Sequence, residues 1–61
     1  MVENKVAERR HALGMTLEEL SRESGIPVST LGEVEKGQEP KVMTALRTVR
    51  ALNKTIEELW S

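Results

Sequence analysis

Sixty-one residues, 38% hydrophobic and with no cysteine, allow one small domain whose core must hold by packing, since so short a chain buries only about 60% of the surface it exposes when unfolded. Neither a disulfide framework nor a thiolate zinc site is possible, and His11 has no second ligand nearby, so no metal and no cofactor are expected. Nine Lys and Arg against ten Glu leave a net charge of −1, so nothing global steers the chain to a polyanion, and no apolar run approaches a membrane span.

Aromatics are nearly absent and apolar residues recur at helical spacing in short blocks separated by Gly, Pro or Asn, an all-helical pattern. The first block runs from about Val2 to Leu13, with Val2, Val6 and Leu13 on one stripe and Gly14 as a left-handed stop. Its charges stand where a signal peptide needs an apolar stretch, so the expected location is cytoplasmic. Helix two follows over about residues 17–24. Thr16 is its N-cap, Glu19 completes a capping box, and Met15 with Leu20 can form a hydrophobic staple. Glu18 and Arg22 stand four apart in the favourable order, and Leu17, Leu20, Ser21 and Ser24 form the inner face.

Gly25 supplies the positive φ of a sharp reversal, and helix three runs over about 28–36, beginning at Pro27 or Val28 and stopped by Gly37. Leu31 and Val34 point inward with Ile26. After "GQEP", helix four takes Val42, Ala45, Leu46, Val49 and Leu52 to the core, and Asn53 can adopt the left-handed stop. A second capping box, Thr55 with Glu58, opens a last short helix carrying Ile56, Leu59 and Trp60. Five helices in one domain over residues 1–61 are the result, without repeats or linkers.

Charge is unevenly spread along this pattern. Residues 16–35 hold Arg22 against Glu18, Glu19, Glu23, Glu33 and Glu35, a net −4, while the flanks hold eight cations and five acids, a net +3. Any basic surface must come from the flanks. Arg47, Arg50 and Lys54 read as a solvated polar face, and Met15, Met43 and His11 as packing or helix-surface residues. There is no nucleophile–base–orienter set, Gly-rich phosphate loop or metal-ligand cluster, so the chain is not expected to be an enzyme.

Helices two and three are joined by about three residues around Gly25, too few for an antiparallel hairpin, so the pair should cross steeply as a helix-turn-helix does. The stretch "GMTLEELSRESGIPVSTLGEVEKG", followed by "EPKVMTALRTVRALNKTIEELW", resembles the phage repressor and Cro-like, XRE-type helix-turn-helix family over nearly the whole chain. The resemblance rests on the Gly14, Met15, Thr16 entry, the paired Glu18 and Glu19, Leu20, the turn Gly25 and Ile26, then Ser29, Thr30, Leu31 and the Glu35, Lys36, Gly37 exit. Pro40, Ala51, Leu52 and the closing Glu57, Glu58, Leu59, Trp60 extend it. It implies a compact five-helix repressor-like domain that binds double-stranded operator DNA as a homodimer, with the N-terminal half of helix three in the major groove.

Carried over residue by residue, the base-contacting positions fall on Val28, Ser29 and Glu33, with Gly32 facing the same groove. Serine can hydrogen-bond several bases, valine can pack against a thymine methyl, and glutamate can accept from cytosine N4. Phosphate contacts fall on Thr16 and Leu17 through the main chain at the start of helix two, and on the side chains of Lys36 and Lys41. Where the family commonly has a glutamine that grips the backbone, this chain has Leu17, which cannot. The resemblance further implies a structural ion pair, Arg10 with Glu35, and Trp60 with its neighbours is the candidate dimer contact. The reading is a repressor-type transcriptional regulator. Its alternative is a protein–protein interaction module, an anti-repressor or adaptor that keeps the fold with little DNA binding.

Overall fold

The computed structural model describes residues 3–60, so Val2 of the expected first stripe lies outside the described residues. Five helices follow in chain order, α1 (Val6–Ala12), α2 (Leu17–Ser24), α3 (Val28–Glu35), α4 (Val42–Ala51) and α5 (Ile56–Leu59), with no strand among the described residues. Both capping boxes are formed. Thr16 accepts from the Glu19 N–H at 3.1 Å while Glu19 accepts from the Thr16 N–H at 2.8 Å, and Thr55 and Glu58 repeat the arrangement at 3.2 and 3.0 Å.

Three of the helices end by the same device. After α3, Gly37 (φ 106°) donates to the Val34 carbonyl at 3.0 Å and Gln38 to the Glu33 carbonyl at 3.0 Å, the paired bonds of a Schellman motif. Gly14 and Met15 close α1 in this way, and Asn53 (φ 55°) with Lys54 closes α4.

The core is built from Val6, Leu20, Ile26, Leu31, Val34, Val49, Leu52 and Leu59, with Met15, Leu17, Ala51 and Trp60 packed against it. α2 packs on both α3 and α4, α1 on α3, and α5 on α4. Two stripes differ from the sequence expectation. Leu13 is exposed, because it is the C-cap of α1 and lies beyond the turn that Val6 anchors. On α4, Val42 and Leu46 are exposed and Ala45, Thr48, Val49 and Leu52 are buried. Thr48 can enter the core because its hydroxyl donates to the Thr44 carbonyl at 2.8 Å, satisfying the group that would otherwise resist burial.

Candidate nucleic-acid interface

The α2–α3 turn is set by two serines that sequence reasoning treated only as small inner-face residues. Gly25 adopts the left-handed conformation (φ 73°), which leaves Ile26 buried with both main-chain groups needing partners. The Ser21 hydroxyl donates to the Ile26 carbonyl, and the Ser24 oxygen accepts from the Ile26 N–H at 3.3 Å while its hydroxyl donates to the Leu20 carbonyl at 2.7 Å. The crossing of the two helices is thereby fixed at its vertex. With Leu31 and Val34 buried, the 3.6-residue period turns Val28, Ser29, Glu33 and Lys36 to the exposed side of α3, and Gly32 is half-buried between them.

Leu17 opens α2 next to this face. A β-carbon placed on Gly32 would stand 3.9 Å from Leu17 Cδ2, so the leucine lies against the glycine of the neighbouring helix. The first-turn N–H groups of α2 have no intrahelical acceptor, but the capping box has already engaged two of these donors. The Thr16 N–H is bonded to the Glu19 carboxylate, so of the expected main-chain pair only Leu17, followed by Glu18, presents an N–H that neither the helix nor the box uses. Hydrogen bonding from Thr16, above all from its main-chain N–H, holds the Glu19 carboxyl below its ordinary pKa, so a negative charge sits at the first turn of α2.

Lys36 caps the C-terminus of α3 and Lys41 the N-terminus of α4; both are exposed, and neither forms an ion pair among the described residues. Lys41 lines a groove of about 320 Å³ with Thr30, Glu33, Gln38 and Thr44. The groove carries a cation to the flank of the carboxylate that α3 exposes. Val28, Ser29, Gly32, Glu33, Leu17 and Lys41 are therefore parts of one continuous surface, while Trp60, at the end of α5, lines neither the Leu17–Gly32 contact nor the Lys41 groove.

Arg10 positions this surface without being part of it. Its Nε donates to Glu35 Oε2 at 2.7 Å, one terminal nitrogen to Glu35 Oε1 at 3.1 Å and the other to the Met15 carbonyl at 2.9 Å. One guanidinium thus ties α1, the entry to α2 and the end of α3. The Glu35 hydrogen bond raises the Arg10 pKa further above its ordinary value, and only 12% and 13% of the two side chains is exposed. Asn4, which sequence reasoning passed over, adds a second tie: its Nδ2 donates to the Val34 carbonyl at 2.8 Å and its Oδ1 accepts from the Val6 N–H at 3.0 Å. An asparagine two residues ahead of Val6, a residue type suited to a helix start, was the available signal.

A family model described as Helix-turn-helix matches residues 6–59. The chain belongs to the XRE-type helix-turn-helix family. The match covers all five helices, so the fold and the family are one finding, and the family is one of DNA-binding transcription regulators. A search of curated proteins returned no match. The Leu17–Gly32 contact lies where the first turn of α2 meets the exposed face of α3. No helix among the described residues is long and apolar enough to cross a membrane.

Proposed function

We propose that this chain is a sequence-specific, repressor-type regulator that binds a two-fold-related operator as a homodimer, with α3 in the major groove. The observation that carries the reading is the convergence of the exposed face of α3, the first turn of α2 and the Lys41 groove on one surface. Ser29 and Glu33 meet base edges, the Leu17 N–H meets a phosphate through the positive end of α2, and Lys36 and Lys41 meet phosphates on either side.

Size favours the dimer. The longest Cα dimension is 23 Å, against about 34 Å between half-sites one helical turn apart. One copy reaches one half-site, and a recognition surface without an arginine fork has little affinity to spare. Selection of bound duplexes from a random pool, run beside sedimentation, tests the proposal. The expected outcome is a two-fold consensus bound by two copies, with log-affinity falling against log salt at about −0.9 per neutralised phosphate. The net −4 of residues 16–35 supports the second reading, a protein-interaction module; failure to bind any duplex at low salt would select it.

A further inference from the structure

We infer that Leu17, Val28 and Gly32 form a methyl-reading facet, by which this protein distinguishes pyrimidines that carry a 5-methyl group from those that lack it. The inference rests on the DNA-binding reading and adds a specificity element to it. Gly32 has no side chain, and Leu17 Cδ2 lies 3.9 Å from the place a β-carbon would take. The middle of the recognition helix therefore carries a shallow notch whose wall is a leucine methyl. Val28 stands one turn earlier on the same face of α3 and is 37% exposed. Neither the Leu17 nor the Val28 side chain can donate or accept a hydrogen bond.

An apolar notch at this point has few partners in a major groove. Base edges there present hydrogen-bond donors and acceptors, and the apolar group among them is the thymine C5-methyl. A polar base edge placed against Leu17 and Val28 would lose its water without replacement, which costs free energy. A methyl placed there loses only apolar surface. Selection thus has both an attractive and a repulsive part. Glu33 follows Gly32 and is exposed, so a cytosine N4 amino group can be met beside the notch, and 5-methylcytosine offers the methyl and the amino group on one base.

The experiment uses the whole chain and the best duplex from the random-pool selection. Each thymine is replaced by uracil in turn, and each cytosine by 5-methylcytosine, with affinity read by fluorescence anisotropy. One thymine per half-site is expected to be sensitive, with a loss of about fourfold per methyl and about fifteenfold when both half-sites lose it. Gly32→Ala, which fills the notch at ordinary contact distance, should erase that difference while leaving the melting temperature near that of the parent. Leu17→Gln should also erase it, by replacing the apolar wall with an amide. Uniform uracil tolerance, or a thymine preference that survives both substitutions, overturns the facet and leaves the DNA-binding reading standing. Failure of the parent chain to bind any duplex overturns both.

Discussion

Arg10 and Arg9 are neighbours on α1 with the same charge, and their surroundings separate them. Arg10 spends three donors on Glu35 and the Met15 carbonyl, whereas Arg9 makes one bond, Nε to the Leu52 carbonyl at 3.1 Å. Removing one partner of a largely buried pair strands the other, at a cost of about 3–5 kcal/mol; loss of a single hydrogen bond costs about 0.5–1.5 kcal/mol. A domain of this size has only about 3–9 kcal/mol to lose. Arg10→Met is therefore expected to lower the melting temperature far more than Arg9→Met, to the point of unfolding part of the population at 37 °C. Arg10→Met with Glu35→Leu should recover much of the loss, because no unpaired carboxylate remains. Equal melting temperatures for the two single variants, read by circular dichroism, would sink the assignment.

Elements whose signals are local were legible in the sequence, and those decided by neighbours were not. The starts of α2 and α5 follow from Thr and Glu three residues apart, and the helix stops from Gly14, Gly37 and Asn53, since these groups satisfy one another within one turn. On α4 the period of 3.6 gives the stripe, and Ala45, Val49 and Leu52 are buried as expected, but it does not give which of the margins is covered: Thr48 is buried while Val42 and Leu46 stay outside. At the candidate site, the exposed positions of α3 follow from the same period. The Leu17–Gly32 contact and the Asn4 tie do not, being formed between residues far apart in sequence. The capping boxes also carry an acid dependence. Glu19 and Glu58 are both held below the ordinary carboxyl value of 4.5 by their threonines, with Lys54 assisting Glu58. Near that pH the folded chain binds fewer protons than the unfolded one, so this stabilisation is complete above 4.5 and is lost as pH falls through the depressed folded values. Glu19→Gln with Glu58→Gln keeps an acceptor in each box. The double variant is expected to show a smaller drop in melting temperature between pH 6 and pH 3 than the parent, measured at equal ionic strength; identical drops would assign the acid sensitivity to other groups.

For the whole molecule, the question is where a second copy would sit. Trp60, the residue singled out from the sequence, is half-buried against the core, and its indole N–H is buried without a hydrogen-bond partner among the described residues. That donor is sealed off from a partner's acceptors. A larger apolar surface is exposed on α4 and the start of α5: Val42 is 72% and Met43 58% exposed, and Leu46 and Ile56 border a groove of about 480 Å³ with Lys54 and Glu57 on its rim. Lys54 is paired within the chain with Glu58 at 3.3 Å, so a two-fold contact here would rest on apolar surface meeting its own copy. A change at an exposed position such as Met43 should leave the fold within about 0.5 kcal/mol of the parent. Met43→Glu sets two like charges against each other across the axis and should shift sedimentation on the operator from two copies to one. Losing the linked second contact lowers affinity for the full operator by about a hundredfold or more, while affinity for an isolated half-site stays that of the parent. Trp60→Phe should do neither. A Met43→Glu chain that still binds the full operator as a pair, with parental affinity, would move the dimer contact away from α4 and back towards the end of α5.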